Sequence, residues 1–215
     1  MTELIFVRHG ETDWNRQQRF QGQIDVPLNA TGHAQAQRLA DALAGERFDV
    51  LLSSDLLRTR QTLAPLQQRL ARTGQAAAAW REQHFGVLEG LSVDEIKVRH
   101  PELWTQWLRH DADYALPAGE SVRAFHARVT DAVRALVREH EGRRLLIVTH
   151  GGVLDMLWRT VHGFSLHGAR DCAIPNTGIN RLRWRAGTLD LERWGDDAHL
   201  QGLLEQPSTT PLGEA

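Results

Sequence analysis

The chain of 215 residues holds one cysteine, Cys172, which excludes an internal disulfide and any cysteine-based zinc cluster. Nothing beside it resembles a thiol-nucleophile signature, so Cys172 is read as a small packed hydrophobe rather than a catalytic thiol. Long apolar runs are also missing, since no stretch approaches the roughly 18 residues of a membrane span. Met1-Thr2-Glu3 has neither the basic region nor the apolar core of a secretion signal, so a cytoplasmic protein without a membrane partner is expected. Neither sign of charge is in excess. Lys and Arg number 25 against 27 Asp and Glu, a formal net charge of -2, which supplies no global basic field for nucleic acid. Any anionic ligand must be attracted by local groups.

What is present is ordinary globular material, 41% hydrophobic and 24% charged, enough to bury one sizeable core. No internal repeat or linker divides the chain. One domain is expected over residues 1–194, with an insert at about 91–120, followed by a polar and partly disordered tail at 195–215.

Leu4-Ile5-Phe6-Val7 reads as a short buried strand that ends in Arg8-His9-Gly10. After a polar, turn-rich stretch, Ala30-Thr31-Gly32 opens a helix with Ala36, Leu39, Ala40 and Leu43 on one face, closed by Gly45. Asp49 to Ser54 is a second strand, and Asp55 is the expected N-cap of a helix burying Leu56, Thr59, Leu63, Leu66 and Leu70. Arg58 falls in that helix's first turn. A third strand is placed within Ala76 to Arg81, before an irregular loop from Glu82 to Gly90. Two short helices follow, Ser92 to Arg99 and Glu102 to Arg109, separated by Pro101. Ser121 is the expected cap of a long amphipathic helix burying Val122, Phe125, Val129, Ala132, Val133 and Leu136.

Leu145 to Val148 is the most apolar run, as a central parallel strand should be, and it ends in Thr149-His150-Gly151-Gly152 ahead of another helix. Ile179 to Arg185 and Thr188 to Trp194 alternate and are joined by Ala186-Gly187, the pattern of an edge hairpin. Together these elements imply an α/β fold of three layers, α/β/α, with a mostly parallel central sheet, a helical insert over the site and a C-terminal edge hairpin.

In such a fold ligands bind beyond the carboxyl ends of the strands, where Arg8, His9 and His150 sit. If the strands are neighbours, these residues and Arg58 form a cationic pocket. Two guanidinium forks and a protonated imidazole suit the three equatorial oxygens of a phosphoryl group. The other imidazole must stay neutral to attack, its second ring nitrogen donating to a carbonyl that fixes the tautomer. A carboxyl in the loop after the third strand is placed to protonate a leaving alkoxide and then to activate water.

Arg8-His9-Gly10-Glu11-Thr12, Asn15, Gln21-Gly22, Ser53 to Thr59, Glu82 with Phe85-Gly86 and Glu89-Gly90, and Thr149 to Gly152 resemble the histidine phosphatase superfamily in its phosphoglycerate-mutase-like branch. The likeness spans residues 4 to about 180. It implies His9 as the phosphohistidine nucleophile, Glu82 as proton donor, and Arg8, Arg58 and His150 as the phosphate clamp. It also implies that Asn15, Gln21, Gly22, Gly151, Arg60 and Asn176 line the pocket. The acid-phosphatase branch has Asp directly after its second histidine; Gly151 stands there in this chain, which leaves Glu82 as the acid. Glu89, in the same loop, is read as a structural ion pair or loop hydrogen bond, and the other nine histidines as surface or core residues without ligand spacing. Trp104 and Trp107, three apart in the insert, are either core or substrate contacts.

The leading expectation is a metal-independent phosphomonoesterase, needing no cofactor, whose partner is a small phosphorylated metabolite. A phosphoglycerate mutase, returning the phosphoryl group to another hydroxyl, is the alternative. A non-catalytic phosphate-binding module is the third reading, weakened because every residue the chemistry requires is present.

Overall fold

The computed structural model describes residues 1–203. In chain order the elements are β1 (Thr2–Arg8), α1 (Asp13–Arg16), α2 (Ala30–Leu43), β2 (Val50–Ser53), α3 (Leu57–Leu70), β3 (Gln75–Ala76), α4 (Val93–Arg99), α5 (Pro101–Trp107), α6 (Val122–Glu139), β4 (Arg144–Thr149), α7 (Gly151–His162), β5 (Ile179–Arg185) and β6 (Thr188–Asp196). Successive residues of a strand face opposite sides of a sheet, and Leu4, Ile5, Phe6 and Val7 of β1 are all buried, so both faces must be covered. They are. Leu4 and Phe6 join a core with Phe125, Val129 and Val133 of α6 and Val153 and Leu157 of α7. Ile5 and Val7 join a second core with Leu39 and Leu43 of α2 and Leu63 and Leu66 of α3. The three-layer α/β/α fold expected from the sequence follows from these two cores.

The six strands lie in the order β3-β2-β4-β1-β5-β6. β3, β2, β4 and β1 run parallel, while β5 pairs antiparallel with β1 and β6 antiparallel with β5, which is the edge hairpin. After β1 the chain crosses beyond the position of β4 to lay down β2, and β4 later fills the gap. Arg8 therefore stands opposite Thr149 in the register of β1 and β4, so His9 and His150 leave adjacent strand ends.

Several local expectations need correction. Asp55 does not cap α3: the boundary residue is Leu56, without a side-chain cap, and the Leu57 N–H is met instead by the Asp25 carboxylate from the polar loop. Asp55 is drawn away by a two-bond pair with Arg81, both at 2.7 Å. The third strand is only Gln75–Ala76, because the chain turns into a 3-10 coil at Ala78–Trp80 and buries Trp80. Pro101 occupies the first turn of α5, where its missing N–H costs nothing. Ser121 does cap α6, accepting from the Ala124 N–H.

The domain also runs past 194. β6 continues to Asp196 and a 3-10 turn at Ala198–Leu200 buries Leu200, so the start of the expected tail belongs to the fold. The remainder of that tail, 204–215, lies outside the described residues. Cys172 packs partly buried against the first core, and burial pushes its thiol up to about 12, in keeping with a packed hydrophobe.

Candidate active site

His9 is fixed from every side. Its N–H donates to the Thr149 carbonyl, its own carbonyl accepts from the Asn176 side chain at 2.8 Å, and the next N–H, of Gly10, donates to Thr62 Oγ1. His9 Nδ1 lies 2.7 Å from the Gly10 carbonyl. A carbonyl only accepts, so Nδ1 carries the hydrogen, and in the neutral ring the lone pair is on Nε2. Burial, reinforced by Arg58 and Arg8, pushes the His9 pKa well below the usual imidazole range. The ring is thus neutral at physiological pH, the state that nucleophilic attack by an imidazole would require.

The cations are equally constrained. Arg58 is fully buried, its fork donating to the carbonyls of Gly22 at 2.7 Å and Ile24 at 2.9 Å. Gly22 adopts φ +48°, and a Cβ there would meet the Glu89 carboxylate at 1.9 Å, so only glycine can offer this carbonyl. Arg8 donates to the Ile174 carbonyl at 2.6 Å. Burial lowers both guanidinium pKa values to about 10, with Arg170 adding to the effect at Arg8. Both remain charged at neutral pH. Their Nε atoms are buried without a hydrogen-bond partner among the described residues.

His150 stands beside His9, ring centroids 5.3 Å apart. The expected protonated imidazole is not found here. Burial first, then Arg58, His9 and Arg8, pushes the His150 pKa well down, so the positive charge of the pocket comes from arginines. Both its ring nitrogens are buried and unpartnered among the described residues, which leaves one donor and one acceptor for a ligand.

Glu82 sits at the amino end of α7. Oε2 accepts the Gly152 N–H at 2.9 Å and Oε1 accepts the Gln83 N–H at 2.8 Å. A Cβ on residue 152 would come within 2.1 Å of Oε1, so the second glycine of His150-Gly151-Gly152 is what lets the carboxylate approach the helix end. Arg128 braces the same segment, donating to the carbonyls of Ala79, Arg81 and Glu82 and to the Glu120 carboxylate.

Arg8, His9, Arg58 and Glu82 line a cavity of about 400 Å³ that also takes in Asn15, Gln21, Gly22, Gly151 and Asn176, while His150, fully buried beside His9, is not among its lining residues. Among the residues expected to line the pocket, Arg60 is the exception. It is exposed on α3 and outside the lining, because two residues beyond Arg58 a helix points its side chain to the far side. The tryptophan pair divides: Trp104 is core, whereas Trp107 lines the cavity and packs edge-on against Phe20 and Phe85. Glu89 makes the loop hydrogen bonds assigned to it, accepting from the N–H groups of Gln23 and Phe85.

Two functional neighbours were missed. Arg128 follows Phe125 by three on α6 and so shares its inward face, a readable signal; Arg170 lies in an irregular loop and gave none. His167, assumed to lack ligand geometry, is brought together with Asp111 and Asp113, their donor atoms within 4.8 Å of one another and all three residues exposed.

Fold and pocket thus define an α/β protein with a neutral, tautomer-locked imidazole set beside buried arginines at the carboxyl end of a parallel sheet. The family model of the histidine phosphatase superfamily (branch 1) matches residues 4–197. Phosphoglycerate mutase-like protein 4 of Arabidopsis thaliana is 34% identical over 94% of this chain and 90% of the relative. The metal-independent phosphoserine phosphatase of the same plant is 32% identical over 94% of this chain and 85% of that one. YhfR of Bacillus stearothermophilus superposes with a TM-score of 0.88 at 30% identity, over 94% of this chain and all of that chain. The chain belongs to the histidine phosphatase superfamily, branch 1. It is an enzyme of that class.

Proposed function

We propose that the chain is a metal-independent phosphomonoesterase of the cytoplasm, hydrolysing a small phosphorylated metabolite through a phosphohistidine on His9. The Nε2 lone pair of His9 attacks phosphorus while Arg8, Arg58 and His150 bind the equatorial oxygens. Glu82 gives its proton to the departing alkoxide oxygen as the P–O bond breaks. It then takes a proton from water as the water oxygen attacks the phosphohistidine, and His9 leaves with its lone pair restored. Asn176 holds the nucleophile's backbone and the Gly10 carbonyl its ring, and Asn15, Gln21, Gly22 and Gly151 bound the oxygens' cage.

The observation that carries this reading is the His9 ring, neutral and tautomer-locked by the Gly10 carbonyl beside two buried guanidinium groups. The phosphoserine phosphatase relative supports hydrolysis. The relative named as mutase-like favours the second reading, transfer of the phosphoryl group to another hydroxyl of the substrate.

A turnover screen over phosphorylated metabolites, with free phosphate and isomerised product both measured, separates the two. The expected result is phosphate release that exceeds isomerisation on every ester turned over and that survives prolonged EDTA treatment. Rapid interconversion of 3- and 2-phosphoglycerate with little phosphate would favour the mutase. Loss of turnover in EDTA, restored by a divalent ion, would turn attention to Asp111, Asp113 and His167.

A further inference from the structure

Arg159 is buried on α7, yet it spends nearly all its donors on one loop. Its guanidinium donates to the carbonyls of Ser165, His167, Gly168 and Ala169, at 2.5, 3.4, 3.0 and 2.8 Å, and its Nε pairs with Asp155 at 3.2 Å. A buried cation that gathers the backbone around itself fixes the path of residues 165–169. The next residue is Arg170. Its side chain lines the cavity and its Nε is buried without a hydrogen-bond partner among the described residues. A Cβ on Gly151 would find Arg170 Nη1 and Arg8 Nε both at 3.6 Å, so the two guanidinium groups meet over the amino end of α7.

The Arg170 side chain keeps 22% of its surface exposed on the cavity wall, whereas His9, Arg58 and His150 are buried. A cation on the more open wall beside these buried groups is placed to meet the organic part of an ester whose phosphoryl group they hold. Leaving aside Arg8, which the proposed mechanism assigns to the phosphoryl group, Arg159 and Arg170 carry two positive charges against one on Asp155, whose Oδ2 is 4.0 Å from Arg170 Nε. The formal excess of one matches a carboxylate better than a second phosphate dianion.

Resting on the phosphomonoesterase reading above, we propose that Arg170, positioned by Arg159, is a specificity-determining residue that receives a carboxylate on the organic moiety of the substrate. The preferred substrates are then phosphomonoesters bearing a carboxylate near the ester oxygen, to which the fork of Arg170 donates two parallel hydrogen bonds.

The test uses 3-phosphoglycerate and glycerol 3-phosphate, which differ in a carboxylate against a hydroxymethyl group. Their binding is measured by calorimetry on full-length His9→Ala protein, in which the esters stay intact, with and without Arg170→Gln or Arg170→Lys. The expected result is tighter binding of the carboxylate ester, a roughly ten- to hundredfold loss of that advantage in Arg170→Gln, partial recovery in Arg170→Lys, and less than about threefold change for glycerol 3-phosphate. Equal weakening of both ligands, or no preference for the carboxylate in the parent, would overturn the proposal. Turnover of 4-nitrophenyl phosphate by the wild-type enzyme reports on the hydrolase reading separately. Its absence with the binding preference intact would refute hydrolysis and leave the subsite standing.

Discussion

The floor and the roof of the cavity are built by different means. On the floor, His9, Arg8, Arg58 and Glu82 each bond to backbone groups, at Gly10, Ile174, Gly22 and the amino end of α7, and His9, Arg58 and His150 are buried. On the roof, α4, α5 and the loops beside them are tied partly by side-chain pairs near solvent. Arg19 to Glu95 and Arg123 to Asp113 are examples, the latter pair more than half exposed on both sides. Backbone-anchored groups cannot shift without breaking their bonds to the main chain around them, whereas exposed pairs are each worth little and can be exchanged. The groups assigned the chemistry in the proposal therefore sit on the firmly anchored part of the molecule, and α4 and α5 over the cavity on the adaptable part.

Substitutions on the two sides should separate sharply. His9→Ala removes the atom that bonds to phosphorus in the proposed mechanism and should reduce turnover to background on every ester, as measured by phosphate release. Glu82→Gln should lose about 10²–10⁴-fold in kcat on an alkyl phosphate and much less on a nitrophenyl ester, whose leaving group hardly needs a proton. Gly152→Ala would push the Glu82 carboxylate off the α7 terminus, and a misplacement of that size costs on the order of 10²-fold. Its defect should follow the same leaving-group pattern as Glu82→Gln, because the same carboxylate is affected.

Acid should weaken the floor before the roof. The folded pKa values of His9 and His150 lie below the unfolded value of about 6.5, so the unfolded chain binds more protons as pH falls through that range. Their contribution to stability is complete above about 6.5 and is lost progressively below it. The melting temperature in phosphate-free buffer should fall from pH 7 to 5.5, with a shallower slope in His150→Gln. The smallest effect is reserved for the roof: Arg123→Ala should cost no more than about 1 kcal/mol in urea unfolding and leave kcat on a nitrophenyl ester unchanged. A large kcat loss there would break the division between the two regions.

The same division governs what could be read in the sequence. Strand ends announce themselves, because four buried apolar residues stop at Arg8-His9 and four more at Thr149-His150, and a parallel sheet brings such ends together. Helix caps chosen by local chemistry were legible at Ser121 but not at Asp55. There, a distant arginine competed for the carboxylate and a loop aspartate took over the cap. The neutrality of His150 is a property of burial among arginines, which a linear sequence does not display. Arg60 misled because two residues of helix reverse a side chain's direction. Arg170 was invisible because its position depends on Arg159 wrapping an irregular loop, a tertiary event without periodicity.

The identity of the phosphorylated atom tests the whole account most directly. With Nδ1 donating to the Gly10 carbonyl, phosphorus must bond to Nε2 of His9. Rapid-quench trapping with a labelled nitrophenyl ester, followed by peptide mapping and phosphorus NMR of the modified ring, reads out both residue and atom. The expected product is an acid-labile, alkali-stable phosphoramidate on His9 Nε2, absent from His9→Ala. A phosphoenzyme of undiminished yield in His9→Ala, or one bonded through Nδ1, would contradict it.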